Sequence, residues 1–406
     1  MSIVVRKYGG TSVSNITKLK RIAKNIQDEA SKGGQQVIVL SAMGKTTDQL
    51  VSLATKSSKS PNIRDYDLLL SSGEQISVSL LSIILNDIGI NSIALTGWQA
   101  GIETNSTHMS ARISKIDTAN IMSELKKNKV VVVAGFQGIS KKKDITTLGR
   151  GGSDTTAVAL AAALKANECR IYTDVDGVYT TDPRVCPSAK KLDRLTYEEM
   201  LEMSGLGSKV LQLRSVEFAS KYNVPLRVMD AHKTGSGTLI KKEDKKMEGA
   251  LISGIAFTKD EAEIMIKGVK DQPGIAAKIL GPIGAANIEV DMIVQNIGSD
   301  GLADFTFTTS RNSFKKALQV IEKNKKTMMY SEIISAKNIV KVSLVGVGMR
   351  SHAGIASQMF KCLARNNVNI RMISTSEIKI SVVIDQKNLE IAVQSLHNEF
   401  KLDKKK

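Results

Sequence analysis

The stretch LGRGGSDTTAVALAAAL, residues 148–164, joins an arginine, a glycine pair, a serine and an aspartate directly to an alanine-rich segment. An ordinary helix N-cap needs only the serine or the aspartate, and needs neither the arginine nor the glycines. Adjacent glycines let the backbone approach a ligand, and an arginine can bind a carboxylate or phosphate through two hydrogen bonds. We therefore interpret Arg150–Asp154 as a binding and reaction site that is followed by a buried helix at Thr155–Lys165.

Outward from this junction, short β-branched runs alternate with helical periodicity as far as about residue 245. Ile3–Tyr8 is typical of a strand, and apolar residues between positions 19 and 26 recur at i, i+3, i+4 and i+7 as on one helix face. Val130–Phe136 is a continuous apolar run, which favours a strand covered on both faces. This alternation predicts an α/β fold with a mostly parallel sheet sandwiched by helices.

The C-terminal part begins after a charged hinge, KKEDKKMEG at 241–249, and contains an internal repeat. PGIAAKILGPIGAANIEVDMI at 273–293 and AGIASQMFKCLARNNVNIRMI at 353–373 align without a gap at an offset of 80 residues. Each copy follows a strand and continues as loop, helix and strand, which predicts two small α+β modules. The expected domains are therefore residues 1–245, 246–335 and 336–406.

Composition limits the classes of function. The chain has 406 residues, enough for two or three domains, and we find no apolar run near the roughly 18 residues that span a bilayer. The N-terminus lacks the layout of a secretory signal, and three widely spaced cysteines do not form a disulfide framework. We expect a cytoplasmic protein without a membrane partner.

The formal charge of +17 raises the possibility of nucleic-acid binding. The lysines occur in short clusters, and aromatic residues make up only 4% of the chain, so stacking platforms for bases are scarce. The charge therefore favours a solvated, lysine-rich surface that attracts anionic small substrates, and we expect no nucleic-acid partner.

Two further motifs follow predicted strands near the N-terminus. KYGGTS at 7–12 places Lys7 and a glycine pair at a strand end, which suits phosphate binding but is also compatible with a tight turn. SAMGKTT at 41–47 contains Gly-Lys-Thr, but the position five residues before Gly44 is Val39, so the Walker pattern fails. The hydroxyl groups of this second motif still lie where small polar ligands are commonly held.

The remaining motifs carry acidic residues. SSGEQ at 71–75 puts Glu74 at an expected helix start, where the local sequence favours a dipole interaction over a contact with a ligand ammonium. YTDVDGVYTTDPR at 172–184 lacks the order of a calcium-binding loop and fits a nucleotide-binding loop better. The four histidines are scattered, so we predict no metal site built from protein ligands.

Taken together and in this order, KYGGTS, SAMGKTTD, SSGEQ, GRGGSDTTA and TDVDGVYTTDPR resemble the aspartate kinases of the amino-acid kinase family. The two C-terminal copies resemble the tandem ACT modules of these enzymes, which are ferredoxin-like α+β units. The resemblance covers essentially the whole chain. It implies the amino-acid kinase fold followed by two ACT modules.

The resemblance also implies an activity and its residues. The activity is ATP- and Mg²⁺-dependent phosphorylation of the β-carboxylate of L-aspartate to 4-phospho-L-aspartate, which begins lysine, threonine, methionine and diaminopimelate biosynthesis. By position the catalytic residues would be Lys7 and Asp154. Aspartate would be held by Ser41, Thr47, Glu74, Arg150, Gly151, Gly152 and Ser153. ATP would be held by Lys7, Gly9, Gly10, Thr173, Asp174, Tyr179, Arg184 and Lys209.

For the ACT modules, the resemblance implies feedback by lysine, threonine or both, bound between copies from two chains of a homo-oligomer. The effector site would be formed by Asp271, Gly274, Ile275, Ala276, Gln295, Asn369 and Ile370. The chain departs from the family pattern at Ala353, where proline is usual, and at Ser299–Asp300. Met247 follows the charged hinge, where some relatives start a separate regulatory subunit.

Two other classes of function remain as alternatives. A catalytically silent amino-acid sensor would keep the ACT pair and lose Lys7, Arg150 or Asp154, all of which are present. A basic nucleic-acid-associated protein would bind random duplex with a strong dependence on salt.

Overall fold

The structure is a computed structural model, and it describes residues 2–31, 33–205, 210–243, 252–298, 301–352 and 354–404. Several residues that the sequence analysis names lie outside these ranges, namely Lys209, Met247, Ser299, Asp300 and Ala353. The elements form an N-terminal part that ends near Lys241 and a C-terminal part that begins near Gly254.

The N-terminal part alternates strands and helices. Its strands are β1 (Ile3–Tyr8), β2 (Gln35–Leu40), β3 (Ser92–Leu95), β4 (Ile102–Thr104), β5 (Ile113–Ile116), β6 (Val130–Ala134), β7 (Gln137–Ser140), β8 (Ile145–Thr147), β9 (Glu168–Thr173), β10 (Arg194–Thr196), β11 (Leu226–Asp230) and β12 (Thr238–Lys241). Its helices are α1 (Ile16–Ala30), α2 (Thr46–Ser57), α3 (Ile63–Asp87), α4 (Ala119–Lys126), α5 (Gly152–Ala163), α6 (Tyr197–Gly205) and α7 (Leu213–Tyr222).

The central sheet has the strand order β10-β12-β11-β9-β1-β2-β6-β3. Its neighbouring strands are parallel except for the antiparallel pair β11 and β12. The alternating pattern of the sequence therefore predicted the fold class correctly. Because parallel strands end at the same edge, the loops after β1, β2, β6 and β9 meet there.

Both faces of this sheet are covered, as the run at β6 predicted. Val131 and Val133 point into one apolar core, which also contains α5, and Val132 and Ala134 point into the other, which contains α1 and α3. Every residue of β6 is buried. Successive side chains of a strand point to opposite faces of the sheet. A strand that is buried on both faces therefore needs a continuous apolar run.

Helix α5 begins three residues earlier than the sequence analysis expected. Its N-cap is Gly151, which has a left-handed backbone with φ 71° and provides no side-chain cap. Ser153 and Asp154 consequently lie in the first helical turn. All ten residues from Gly152 to Ala161 are buried, so the helix is fixed on every side.

Helix α3 corrects the expectation for Glu74. The helix begins at Ile63, after an N-cap by Asn62, so Glu74 lies in its middle and the proposed dipole interaction at a helix start does not apply. Among the described helices, α3 alone is long and apolar enough to cross a bilayer, with a mean hydropathy of 1.6 over 18 residues. Half of that window is buried in the fold, and it includes Glu74, so α3 is a core helix of the α/β part.

A small second sheet lies beside the first. It has the order β5-β4-β7-β8 and was not predicted. Its strands are three or four residues long, too short for a period to show in the sequence. Strand β8 leads directly into the glycine-rich loop before α5, so this sheet positions that loop.

The C-terminal part forms one sheet of six strands with helices packed on it. Its strands are β13 (Gly254–Lys270), β14 (Val290–Ile297), β15 (Leu302–Thr309), β16 (Glu332–Val345), β17 (Met372–Thr375) and β18 (Lys379–Asp385), in the order β14-β15-β13-β16-β18-β17. Its helices are α8 (Ile275–Ala285), α9 (Arg311–Lys323), α10 (Lys325–Met328), α11 (Ile355–Arg365) and α12 (Leu389–Glu399).

The internal repeat is visible in backbone geometry. Gly274 and Gly354, 80 positions apart, are left-handed N-caps of α8 and α11, with φ of 91° and 96°. Asn287 and Asn367 follow these helices with φ of 52° and 54°. Two modules with the same loop, helix and strand plan are thus present.

The two modules share their long strands. The first residues of β13, Gly254–Thr258, pair with Lys341–Val345 of β16, whereas Ile264–Lys267 pair with Glu332–Ser335. Ile252 and Ile255 accordingly belong to the apolar core of the second module, although they precede the first. A boundary at 335/336 falls inside β16, so the modules are better described as interleaved than as consecutive.

Candidate active site

A cleft of about 260 Å³ opens at the carboxyl edge of the central sheet, where the loops after β1, β2 and β6 meet the start of α5. Its walls are Lys7, Gly10, Ser41, Ala42, Gly44, Thr47, Glu74, Phe136 and Gly149–Asp154. Every residue predicted to be catalytic or to hold the substrate is among them. A larger hollow of about 410 Å³ at the C-terminal sheet contains none of these residues, and we place the chemistry in the smaller cleft.

Lys7 and Asp154 form an ion pair in this cleft. The Lys7 Nζ lies 2.6 Å from the Asp154 Oδ1, and each side chain is 11% exposed. Lys7 is fixed by the parallel ladder of β1 between β2 and β9, and Asp154 by the first turn of buried helix α5. Two rigid elements therefore hold a cation and an anion together beside open space.

Glu74 is a buried carboxylate with one oxygen unused. Its Oε1 accepts the backbone N–H of Ala42 at 3.0 Å, while its Oε2 has no hydrogen-bond partner among the described residues. Burial raises the pKa of Glu74 to about 8, against the smaller opposing effect of the Ala42 hydrogen bond. A buried acceptor without a partner is costly, so this oxygen suits a bound cation.

We predict that Glu74 makes the stability of the unliganded protein depend on pH. Its pKa is about 4.5 when unperturbed and about 8 in the fold, so the folded chain holds a proton that the unfolded chain releases. The free energy of unfolding should therefore decrease as pH rises from 4.5 to 8. Glu74→Gln removes this dependence.

The measurement is the melting temperature of wild type and Glu74→Gln from pH 5 to 8.5. The melting temperature of the wild type minus that of the variant should be largest at low pH and should decrease steadily as pH rises. Curves that stay parallel across this range would contradict a raised pKa at Glu74.

The glycine-rich loop presents Arg150 to the cleft. Arg150 is exposed and makes no ion pair or hydrogen bond with any described residue, so its guanidinium is available to a ligand. Gly151 is required for its left-handed backbone, and a Cβ there would lie 2.3 Å from the Gln212 side chain. Gly10 is required for another reason, since its Cβ would lie 2.8 Å from the Ala42 carbonyl oxygen.

The residues predicted to hold ATP are only partly brought together. Gly9 donates its N–H to the Tyr172 carbonyl at 3.3 Å, so the glycine pair after β1 lies beside the end of β9. Thr173 and Asp174 stand at that end, with the Thr173 hydroxyl 3.1 Å from the Asp174 carboxylate. The residues predicted to hold ATP that are brought together therefore extend from the end of β1 to the end of β9.

Tyr179 and Arg184 lie on the loop that follows. The Tyr179 hydroxyl donates to Asp176 at 2.9 Å, and the exposed Arg184 is paired with Asp182 at 2.7 Å. Neither lines the cleft in this structure. Arg184 would have to exchange Asp182 for a phosphate in order to bind one.

The predicted effector residues form two groups. Gly274, Ile275 and Ala276 surround the start of α8, and the Gln295 amide donates to Asp271 at 3.5 Å nearby. Asn369 and Ile370 belong to the second module, before β17. Among the described residues, no hydrogen bond or ion pair joins the two groups within one chain.

Four residues of the cleft wall were given no role from the sequence, namely Ala42, Gly44, Phe136 and Gly149. Phe136 has φ 69°, an unusual backbone for an aromatic residue, and it contacts the loop at Gly152. Ala42 contributes the N–H that binds Glu74. An aromatic residue between two glycines, as in GFQG after the β6 run, was the available signal for Phe136.

Comparison with known proteins gives a consistent result. The amino acid kinase family model matches residues 2–230, and ACT domain models match residues 263–325 and 342–400. The chain is 55% identical over 404 residues to the aspartate kinase of Pseudomonas putida, which spans 99% of this chain and 98% of that protein. It is 46% identical over 404 residues to aspartokinase 2 of Bacillus subtilis, and this match spans 100% of this chain and 99% of that protein.

Two solved structures agree along nearly their whole length. Escherichia coli aspartokinase III in complex with aspartate and ADP gives a TM-score of 0.79 at 25% identity, and covers 98% of this chain and 99% of that chain. The aspartate kinase of Clostridium acetobutylicum gives a TM-score of 0.81 at 25% identity, with 98% and 100% covered.

Proposed function

This chain belongs to the amino-acid kinase family as one of its aspartate kinases, and from that premise we propose how its residues divide the reaction. The reaction is the ATP-dependent phosphorylation of the β-carboxylate of L-aspartate to 4-phospho-L-aspartate. It opens the biosynthesis of lysine, threonine, methionine and diaminopimelate, and the ACT modules place it under feedback by end-product amino acids.

One observation carries the division of roles: a single cleft holds a buried ion pair together with a Glu74 oxygen and an arginine that have no partner among the residues that the structure describes. L-Aspartate has an ammonium group and two carboxylates. Glu74 takes the ammonium group, and Arg150 grips the α-carboxylate through its guanidinium fork. This orientation leaves the β-carboxylate directed at the Lys7–Asp154 pair.

Binding of aspartate also changes the charge of Glu74. An ammonium group beside the carboxylate favours its ionised form, so it lowers the pKa that burial raises in the free protein. Substrate binding near neutral pH therefore releases a proton from Glu74. Ser41, Thr47 and the N–H groups of Gly151 and Ser153 supply the remaining hydrogen bonds to the substrate. The Gly152 N–H donates to the Gly149 carbonyl at 3.0 Å, so Gly152 contributes close backbone approach to the substrate.

Phosphoryl transfer requires in-line positioning and charge neutralisation rather than covalent chemistry by the protein. Lys7 lies at the meeting point of substrate and nucleotide, where its ammonium group stabilises the charge on the transferring phosphoryl group. Asp154 holds that ammonium group in place. Both are anchored in rigid elements, as such positioning demands.

The nucleotide occupies the adjoining edge, beside Gly9, Gly10, Thr173 and Asp174. Lys209, which the structure does not describe, is a further residue that we propose to bind ATP. Mg²⁺, when present with ATP, would supply further charge neutralisation, and Asp174 is the carboxylate at this edge that would help to hold it. The donor set suits this mode of binding, since Lys7 and Gly10 line the cleft and Asp174 provides a carboxylate. The Gly9 N–H is already bonded to the Tyr172 carbonyl, so Gly9 would contribute close backbone approach rather than a donor. Asp174 stands at an exposed strand end, where a phosphate-bound metal can be reached.

Feedback needs a route from the ACT modules to the cleft, and the loop that carries Tyr179 and Arg184 offers one. The Thr180 hydroxyl lies 2.9 Å from Nε2 of buried His397 in α12, and the Thr180 carbonyl accepts the N–H of Ile255 at 2.6 Å. A shift of the second module thus moves the nucleotide loop. Lysine, with or without threonine, is the effector that we propose.

The effector residues are completed by a second chain. Strands β14 and β17 are the open edges of the C-terminal sheet, and Ile293, Ile297 and Ile373 on them are exposed. Unpaired strand edges with apolar side chains favour pairing with another copy. We propose a cytoplasmic homo-oligomer joined through the ACT modules, and a regulatory subunit that starts near Met247 would appear as a second band when the native gene is expressed.

The test is ADP release with ATP and Mg²⁺, with and without aspartate, repeated with lysine, threonine or both. We expect ADP release that depends on aspartate and is inhibited by lysine. Release that ignores aspartate would refute the kinase assignment, and lysine binding without turnover would favour the silent sensor. Salt-dependent binding to random duplex DNA would favour the nucleic-acid alternative.

A further inference from the structure

Asp67 is a buried acid that the proposed reaction does not use. It lies in α3 with 0% of its surface exposed, and it does not line the cleft. Its carboxylate accepts hydrogen bonds from the Thr147 hydroxyl at 2.5 Å, the Met109 N–H at 3.1 Å and the His108 Nδ1 at 2.7 Å. The His108 Nδ1 donates to this carboxylate in the tautomer that carries the proton on Nδ1.

These donors all lie in segments that precede or contact the glycine-rich loop. Thr147 is the last residue of β8, three positions before Arg150. His108 and Met109 lie on the loop between β4 and β5, which is joined to the same strand end because the Ala111 N–H donates to the Thr147 carbonyl at 2.9 Å. Asp67 therefore ties α3 to the segment from which the glycine-rich loop departs.

The same helix contacts the other walls of the cleft. Glu74, two turns after Asp67 on the same buried face, accepts the Ala42 N–H at 3.0 Å. Between them, the Ser71 carbonyl accepts the Gln137 side-chain amide at 2.8 Å. One rigid helix thus contacts the loop after β2, the first residue of β7 and the last residue of β8.

We propose that Asp67 is a positioning residue that fixes the Arg150 loop at a set distance from Glu74, and so matches the cleft to the length of an α-amino acid. The proposal rests on the proposed function. Gly149 and Gly151, which flank Arg150, both have left-handed backbones with φ of 76° and 71°, so the loop itself resists displacement poorly. A buried carboxylate is a weak source of stability, and here its three hydrogen-bonding neighbours, Thr147, Met109 and His108, serve geometry.

The test compares Asp67→Asn with Glu124→Gln, a buried carboxylate in α4 that pairs with Lys127 and Lys129 before the amino end of β6. An asparagine amide cannot accept from all of these donors. We expect KM for aspartate to rise about tenfold or more, because small displacements of a binding group have large effects, while KM for ATP changes less than about twofold. Glu124→Gln should leave both KM values near those of wild type.

A second pair of variants separates positioning from general damage. Thr147→Val removes one donor and should raise KM for aspartate but not KM for ATP. Thr147→Ser keeps the hydroxyl and should have a KM for aspartate near that of wild type. Equal rises in both KM values, or a serine variant that behaves like the valine variant, would overturn the proposal.

Hydrogen exchange gives a readout that does not depend on activity. In Asp67→Asn, the backbone amides of residues 147–152 should exchange faster than in wild type, with those of residues 119–129 unchanged. Unchanged exchange at 147–152 would refute the anchor itself. If the wild type shows no aspartate-dependent turnover but exchange at 147–152 increases in the variant, the proposed function fails and the anchoring role stands.

Discussion

Lys7→Met should reduce kcat about 10³-fold and leave KM for aspartate within about threefold of wild type. Methionine keeps the length of the side chain and removes its charge. In the structure the Lys7 ammonium group lies 2.6 Å from Asp154 at the carboxyl end of β1, beside the glycine pair expected to face phosphate. Its charge acts on the phosphoryl group during transfer, whereas aspartate is held mainly by Glu74 and Arg150.

The measurement is steady-state ADP release with aspartate and ATP varied in turn. Lys56→Met is the matched control, since Lys56 lies in the last turn of α2, is exposed and is remote from the cleft wall. A Lys7→Met enzyme that retains near-normal kcat would remove Lys7 from the catalytic residues. A loss confined to KM for aspartate would instead assign it to substrate binding.

The residues of the cleft differ in how far the sequence could predict them. Lys7 and Asp154 stand at strand and helix ends within glycine-rich motifs, where local pattern and chemistry agree. Glu74 was assigned through resemblance, and its local interpretation was wrong, because a helix that begins at Ile63 gives no periodic signal across the polar SSGEQ segment. The features that suit Glu74 to the proposed role are its burial and its contact with Ala42, which are tertiary properties.

Phe136 and Asp67 were missed for related reasons. The strained backbone of Phe136 depends on its packing against Gly152, and the burial of Asp67 depends on donors from residues 108, 109 and 147. Each of these contacts joins parts of the chain that are far apart in sequence. A single sequence offers no pattern that couples them.

The elements of the fold likewise differ in how far the sequence could predict them. Strand and helix alternation predicted the parallel sheet, because each element carries its own period. The interleaving of the ACT modules could not be predicted, since the pairing of Gly254–Thr258 with Lys341–Val345 skips the entire first module. The repeat predicts two units, and the register of β13 and β16 shows that strands of the two units pair with each other.

The ion pair also explains why Asp154 should be needed although it transfers no proton in this scheme. The Asp154 side chain is held in the first turn of α5, a helix buried from Gly152 to Ala161, so its position is fixed by packing. Lys7 has a long, flexible side chain that a fixed partner must restrain. The carboxylate therefore supplies position, and the ammonium group supplies charge.

Asp154→Asn should accordingly reduce kcat at least about 10²-fold, and its effect should not add to that of Lys7→Met. Once the ammonium group is absent, the residue that positions it has little left to do, so the double variant should be about as slow as Lys7→Met alone. The melting temperatures should follow the same pattern. Each single variant leaves one charge without its partner and should therefore have a lower melting temperature than wild type. The double variant has neither charge and should recover part of the lost melting temperature. Kinetic losses that multiply across the two substitutions would show that Asp154 acts on the substrates independently of Lys7.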